Sequence, residues 1–284
     1  MHGNLSLYYR TEYYMASITF STCWYNFKAK FDNQTYHNWI DNMLSNVNNY
    51  YLVIYSDELS SPFLKKYLNN PRIKLILKSP EQFYNYKYKD DWIRNHTNNT
   101  LLQNRVEWQV NMLWSEKIHF VYETMSEKYF DTEFYGWCDI GYFRNRPDDL
   151  PNQYLASWPS NSKIEALNKN KIYYACVNND NTYIHQLLKI INTKNAHGLP
   201  AEPIPPNQVS IAGGFFISHK DKLEWWRNTY DNKLKLYFEN NYLVKDDQII
   251  IVDCVFSSLP DFCLCKEQNY NYDNWFLFQR YLLV

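Results

Sequence analysis

The residue with the clearest chemical potential is an aspartate that ends an apolar run and stands close to a glycine. The stretch Trp-Cys-Asp-Ile-Gly-Tyr-Phe-Arg places Asp139 two residues before Gly141. A carboxylate that ends a buried strand beside a glycine is where an α/β sheet would place a metal or phosphate ligand. Mg²⁺ and Mn²⁺ prefer such oxygen ligands and take the remainder from phosphates and water. An Asp that only caps a turn would show the same spacing.

Glycine is rare in this chain, and its distribution is uneven. Of the six glycines, Gly136 and Gly141 flank Asp139, and Gly213 is followed directly by Gly214. Clustered glycines mark positions at which a side chain would block the backbone or a ligand. Gly213 and Gly214 would therefore let an extended ligand lie against the backbone, and the alternative is a β-bulge or a hairpin turn.

Two adjacent acids, Asp246 and Asp247, precede Gln248 at the start of a predicted helix. A helix N-cap needs only one acid, so the other could act as a general base or bind sugar hydroxyls. Capping combined with a first-turn acid, which the helix dipole favours, explains the pair equally well.

Four further residues are weaker candidates. Asp57 ends an apolar run at the sheet edge where open α/β folds bind ligands, although solvated loop acids are common there. Arg105 and Lys117 precede Asp139 on a helical pattern and could reach a phosphate, but helices usually carry such charges on the solvent side. His219 could be a further metal ligand, although a single His is more often structural or exposed.

The elements that would position these residues alternate between strands and helices. Apolar runs predict strands over 18–23, 50–55, 73–77, 134–138 and 171–177, and a strand pair or strand-turn over 209–218. Helical spacing predicts helices over 36–47, 63–68, 101–119, 120–129, 182–192, 220–240 and 248–256. Right-handed crossovers would build a mostly parallel sheet from this order, so we expect an α/β fold. The loop after the first strand has no glycine, which excludes the dinucleotide-binding fingerprint.

Composition and charge exclude several classes of protein. The formal net charge is −1, from 29 basic and 30 acidic residues, and no basic block marks a nucleic-acid binder. No run reaches the ~18 apolar residues of a membrane span, and the first fifteen residues lack the apolar core of an export signal. We therefore expect a cytoplasmic protein with neither a nucleic-acid partner nor a membrane span.

Three blocks of this sequence resemble a known family. Leu-Trp-Ser-Glu-Lys-Ile-His-Phe at 113–120, followed by the Asp-Ile-Gly stretch, resembles the HtrL/YibB family of glycosyltransferases. Ile-Ala-Gly-Gly-Phe-Phe at 211–216 and Asp-Asp-Gln at 246–248 are similar to that family's second and third blocks, in the same order. Together with the Asn-, Tyr- and Lys-rich composition, the resemblance suggests a large DNA virus or a bacterial surface-glycan pathway as the source. In the viral case the host-cell cytoplasm or the virion is the expected location.

The resemblance implies a GT-A-like, three-layer α/β/α fold in a single domain over 1–284. Residues 16–145 would form the nucleotide-sugar-binding half and residues 146–284 the acceptor-binding half. With such a fold, the residues expected at the nucleotide-sugar are Thr22, Asp57, Arg105, Lys117, Asp139 and Gly141; those expected at the acceptor are Gly213, Gly214 and Gln248; and the expected catalytic acids are Asp246 and Asp247. Asp139 and His219 would hold Mn²⁺ or Mg²⁺ on the diphosphate. Many such enzymes have an Asp-x-Asp pair at this position, whereas this chain has one acid.

The implied function is transfer of a sugar from a UDP- or GDP-sugar to a hydroxyl of a glycan or glycoprotein, with metal assistance. The rate would come from positioning and from neutralising the departing diphosphate. A non-catalytic glycan-binding or structural protein on a degenerate GT-A scaffold is the alternative, which the missing second Asp favours. Nucleotidyl transfer or sugar-phosphate hydrolysis at the same metal is a third.

Overall fold

The computed structural model describes residues 16–269 and 271–283, which form a central sheet with helices on both faces. The strands are β1 (Ile18–Trp24), β2 (Tyr51–Ser56), β3 (Ile73–Leu77), β4 (Phe134–Cys138), β5 (Ile172–Ala175), β6 (Phe215–His219) and β7 (Phe262–Cys265). The helices are α1 (Asn33–Leu44), α2 (Lys89–Asn98), α3 (Trp108–Ser126), α4 (Asn161–Glu165), α5 (Asn181–Asn192), α6 (Lys220–Glu239), α7 (Asp247–Ser257) and α8 (Leu277–Tyr281). The first fifteen residues, on which the expectation of no export signal depends, lie outside the described residues.

One strand of the sheet runs against the others. The strand order in the described residues is β3-β2-β1-β4-β6-β5-β7. Strands β1 to β4 are parallel to one another, β5 is parallel to β7, and β6 is antiparallel to both β4 and β5. The expected α/β class with a mostly parallel central sheet is therefore confirmed.

Side chains from the two faces of the sheet pack into two separate cores. Along β1, Phe20 and Trp24 point towards the core that contains α1, whereas Cys23 packs against the core on the α3 side. This alternation is the period of two that a strand imposes. Helices α3, α6 and α7 cover the second face, so the sheet is the middle of three layers.

The reversed strand decides which residues share an edge of the sheet. Because β6 is antiparallel to β4, Phe215 pairs with Cys138 and His219 pairs with Phe134. Gly214 and Asp139 therefore lie at one edge. His219 lies at the other edge, about 16 Å away at ~3.3 Å per strand residue.

The expectation that His219 joins Asp139 as a metal ligand is therefore wrong. His219 is instead the N-cap residue of α6, where Nδ1 accepts a hydrogen bond from the Asp221 backbone N–H at 3.4 Å. Its Nε2 lies 3.2 Å from a Glu133 carboxylate oxygen.

The helical region before β4 also differs from expectation. Two helices were predicted over 101–119 and 120–129, but the chain turns through residues 99–106 and then forms one helix, α3. Arg105 consequently lies exposed in the turn, whereas Lys117 lies in the middle of α3 and is buried. Helix α3 packs against β1 and β4 as well as α2, α6 and α7, which explains why its polar residues are buried too.

The segment before β6 is a strand-turn. Ile211 forms an isolated antiparallel bridge with Cys176, and the two glycines then lead into β6. Within the described ranges, no helix is both long enough and apolar enough to cross a membrane.

Candidate active site

Asp139 follows β4 directly and is held from two sides. Its backbone N–H donates to the Gly214 carbonyl oxygen at 2.9 Å, which continues the β4–β6 pairing by one residue. Its Oδ1 accepts a hydrogen bond from Trp137 Nε1 at 2.5 Å. The Asp139 side chain is nevertheless 42% exposed. The carboxylate is thus fixed in place and still open to a ligand.

Lys117 connects this aspartate to the other predicted site residues. Its Nζ lies 2.9 Å from the Gly213 carbonyl oxygen, 3.2 Å from Asp139 Oδ1 and 3.1 Å from Asp247 Oδ2. An ammonium group carries three N–H donors, so three oxygens match its capacity. Burial by itself would lower the pKa of Lys117, but the carboxylates of Asp139 and Asp247 raise it above its ordinary value. Lys117 is therefore charged. The alternative that it lies on the solvent side of its helix is wrong.

Asp247 is the first residue of α7, and its side chain is buried against Lys117. Burial raises the pKa of its carboxyl group, Lys117 opposes this rise, and the negative charges of Asp246 and Asp139 add to it. A carboxyl group with a raised pKa is a better proton acceptor than an ordinary aspartate.

Asp246 occupies the N-cap position of α7, but its side chain makes no capping hydrogen bond. Its Oδ2 pairs with Lys245 Nζ at 2.7 Å. Its Oδ1 is buried and has no hydrogen-bond partner in the described part of the chain. Capping therefore does not explain this acid, which leaves an oxygen able to accept from a ligand.

The double glycine leaves room for the acids, which approach the backbone closely. A Cβ on Gly213 would lie 2.9 Å from Asp247 Oδ2 and 3.0 Å from Gln248 Cγ. A Cβ on Gly214 would lie 3.0 Å from Asp139 Oδ2. Neither glycine has a positive φ, so the requirement is space and not backbone conformation.

These residues share one cleft at the carboxyl-terminal edge of the parallel strands. Its volume is about 370 Å³, which lies within the range of small-molecule sites. The predicted residues that line it are Lys117, Asp139, Gly141, Gly213, Gly214, Asp246, Asp247 and Gln248. A narrower pocket of about 120 Å³, lined by Trp24, Tyr25 and Phe27, adjoins the cleft at Lys117 and Asp139.

Three cations that line the cleft were not predicted, namely Lys30, Arg144 and Arg146, and Arg146 pairs with Asp149 at 2.8 Å. The Arg144 guanidinium lies 4.2 Å from the centre of the Trp39 ring and donates through Nε to the Gly141 carbonyl oxygen at 3.1 Å. Lys30 Nζ lies 4.7 Å from the centre of the Trp114 ring. The signal for Arg144 was its place in the Asp-Ile-Gly stretch, whereas nothing in the loop around Lys30 marks it.

Three residues predicted at the nucleotide-sugar are not brought to this cleft. Thr22 is fully buried within β1. Asp57 lines a different cleft, and its Oδ1 accepts a hydrogen bond from the Ser60 backbone N–H at 2.7 Å, which is the role of an ordinary loop acid. Arg105 is exposed in the turn before α3. The structure therefore places none of these three residues in the lining of the cleft that contains Asp139.

The side chains present do not fit a resident Mn²⁺ or Mg²⁺. The Lys117 ammonium lies between Asp139 and Asp247, and Trp137 Nε1 also donates a hydrogen bond to Asp139 Oδ1. A charged ammonium has no lone pair to offer a metal, and Mg²⁺ requires oxygen ligands at about 2.1 Å. Across residues 16–269 and 271–283, no group of three or more His, Cys, Asp or Glu side chains is arranged to hold a metal ion.

Comparison with known proteins gives likenesses in structure alone. No protein-family model matches the chain, and no curated protein matches it in sequence. Among solved structures, galactosyltransferase LgtC in complex with donor and acceptor sugar analogues is 10% identical, with a TM-score of 0.45 over 87% of this chain and 73% of that one. An active-site mutant of LgtC is also 10% identical, with a TM-score of 0.46 over 94% of this chain and 84% of that one. At 10% identity and TM-scores below 0.5, these similarities do not show which ligand this chain binds or which reaction it catalyses.

Proposed function

We propose that this chain is a glycosyltransferase of the GT-A-like fold class, which moves a sugar from a UDP- or GDP-sugar to a hydroxyl of a glycan or glycoprotein. The observation that carries this proposal is the convergence in one cleft of Lys117, Asp139, the Gly213–Gly214 pair and the Asp246–Asp247 pair. The resemblance to the HtrL/YibB family, which rests on three of these segments, supports the same function. Residues 16–145 would serve the donor and residues 146–284 the acceptor.

The acids of the cleft suit activation of an acceptor hydroxyl. As the hydroxyl oxygen bonds to the anomeric carbon, the bond from that carbon to the diphosphate breaks and the hydroxyl proton must leave. Asp247, with its raised pKa, or Asp246, with its unpartnered Oδ1, would accept that proton. A base on the acceptor side supports single displacement with inversion at the anomeric carbon.

The cations of the cleft suit the diphosphate leaving group. Among the ion pairs of the described residues, neither Arg144 nor Lys30 has a carboxylate partner, and both line the cleft. Arg144 presents a planar fork of donors that matches phosphate oxygens. Preorganised charge of this kind stabilises the negative charge that develops on the departing diphosphate.

The test is a screen of the full chain with UDP- and GDP-sugars, with and without hydroxyl-bearing glycan acceptors. We expect acceptor-dependent release of nucleoside diphosphate, which Asp247→Asn lowers. Binding of a glycan without turnover of any donor would favour the non-catalytic glycan-binding alternative. Release that needs no acceptor would indicate hydrolysis. If no nucleotide-sugar is turned over and none stabilises the protein against heat, the proposal is overturned.

Replacing Gly213 with Ala is expected to lower the rate of sugar transfer about 10²-fold, because a shift of the order of 1 Å at a catalytic group has that effect. The new methyl group would press on Asp247 Oδ2, 2.9 Å away, and on Gln248 Cγ, 3.0 Å away. The measurement is the initial rate of diphosphate release. Gly198→Ala is the control for backbone strain away from the cleft, because Gly198 has a φ of +75°, which alanine disfavours, while its Cβ would meet no atom within 4 Å. Equal rates for the two variants would contradict the prediction.

A further inference from the structure

The position between the two carboxylates of the cleft is taken by an amino-acid side chain. Lys117 Nζ lies 3.2 Å from Asp139 Oδ1 and 3.1 Å from Asp247 Oδ2, and it also donates to the Gly213 carbonyl oxygen at 2.9 Å. Three oxygens from three separate segments, converging on one point and carrying two negative charges, form the kind of donor set that hard divalent cations seek. Here that point holds an ammonium group.

We infer that the Lys117 ammonium permanently fills the place of a divalent cation in this cleft, so that the nucleotide donor binds without added metal. The inference that the nucleotide donor binds without metal rests on the proposed function. The inference that Lys117 fills the position of a cation does not. A metal ion would have to displace a buried ammonium from both carboxylates, and the like charges repel. The single acid of Asp-Ile-Gly is consistent with this arrangement. Because the Lys117 ammonium already pairs with two carboxylates of the cleft, no second acid is needed there to bind a metal.

The surroundings of Lys117 leave little room for a second cation. The side chain of Lys117 is 10% exposed and that of Asp247 is 4% exposed, so a hydrated ion has no direct path between them. Trp137 Nε1 donates to Asp139 Oδ1, the same oxygen that Lys117 contacts. The Asp139 face that remains open points into the cleft, where Arg144 and Lys30 already supply positive charge.

The first experiment measures Mn²⁺ binding to the protein alone by the loss of the free-ion electron paramagnetic resonance signal. We expect wild type to leave the signal unchanged. Lys117→Ala vacates the position between the carboxylates and should bind Mn²⁺ at least about tenfold more tightly than wild type. Lys233→Ala is the matched control, because it removes an ammonium that lies 3.1 Å from Asp253 and is 13% exposed, but leaves no second carboxylate.

The wild-type protein alone can overturn the inference, even if Lys117→Ala does not fold. A saturable Mn²⁺ site on wild type that Asp139→Asn removes would show that a metal and not Lys117 holds the position. The second experiment compares UDP and GDP binding by calorimetry in EDTA and in Mn²⁺. Equal affinities support the inference, and affinity lost in EDTA overturns it. If neither nucleotide binds at all, the proposed function fails, and the Mn²⁺ measurement still decides what fills the position.

Discussion

Replacing Asp139 with Asn is expected to lower the rate of sugar transfer by about 10²–10³-fold, the usual effect of removing one preorganised electrostatic group from an active site. Asp139 is the acid of the cleft whose side chain is substantially exposed, at 42%, so its charge acts on the ligand. Asparagine keeps an oxygen that can accept from Trp137 and Lys117. The free energy of unfolding should therefore change by about 1 kcal/mol or less, because solvent screens the charge of the 42% exposed Asp139, and Asp247 still pairs with the Lys117 ammonium.

The measurements are the rate of diphosphate release and a urea denaturation curve. The matched control is Asp57→Asn, because Asp57 also follows a parallel strand but lines a different cleft. We expect its rate to equal that of wild type. Unchanged turnover in Asp139→Asn would show that this aspartate has no role in the reaction. An equal loss in both variants would show that the two clefts act together.

Replacing Lys117 with Met should have the largest effect on stability, a loss of about 3–5 kcal/mol in the free energy of unfolding. The magnitude follows from leaving Asp247, whose side chain is 4% exposed, buried without its cation. Methionine preserves the length and the apolar stem, so the change isolates the charge. Urea denaturation followed by tryptophan fluorescence measures the loss, and a loss below about 1 kcal/mol, the value for a surface pair, would contradict it.

The stability loss in Lys117→Met should depend on pH. The pKa of Asp247 is already raised in the folded wild type, and without Lys117 it rises further. A carboxyl group whose pKa is raised by folding contributes most when it is protonated, and that contribution is lost as the pH rises through the folded pKa. The variant should therefore lose less stability near pH 5 than near pH 8. Adding Asp247→Asn should recover part of the loss at pH 8.

An exposed ion pair is the control for this variant. Lys66 Nζ lies 2.8 Å from Asp41 Oδ1, but the two side chains are 55% and 47% exposed. Solvent screens such a pair, so Lys66→Met should change the free energy of unfolding by about 1 kcal/mol or less. The contrast between the two lysines tests burial, and not ion pairing in general, as the source of the effect.

The strands and the acids at their ends could be predicted because their signals are local. The run before Asp139 is continuous and apolar, and β4 forms over the same residues. Scarce glycine marked Gly213 and Gly214, which indeed lie beside the acids. In these segments, both the apolar pattern of the strand and the need for a small residue can be recognised from neighbouring residues in the sequence.

Strand direction and helix burial could not be predicted in the same way. Nothing in Phe215–His219 shows that β6 runs antiparallel, because apolar alternation is the same in both directions, and His219 was consequently assigned to the wrong edge. The pattern before β4 gave no sign that α3 is covered by helices as well as by the sheet. Lys117 and Arg105 therefore looked alike in the sequence, although one is buried and the other is exposed.

The pairing of cations with indole rings has an optical consequence. Arg144 lies over Trp39 and Lys30 lies over Trp114, and both cations line the cleft. An anion that draws either cation towards itself changes the electric field across the adjacent ring, and indole emission responds to that field. We therefore expect the entry of a phosphate-bearing ligand to shift the protein's own tryptophan fluorescence, which would give the cleft an intrinsic, label-free reporter.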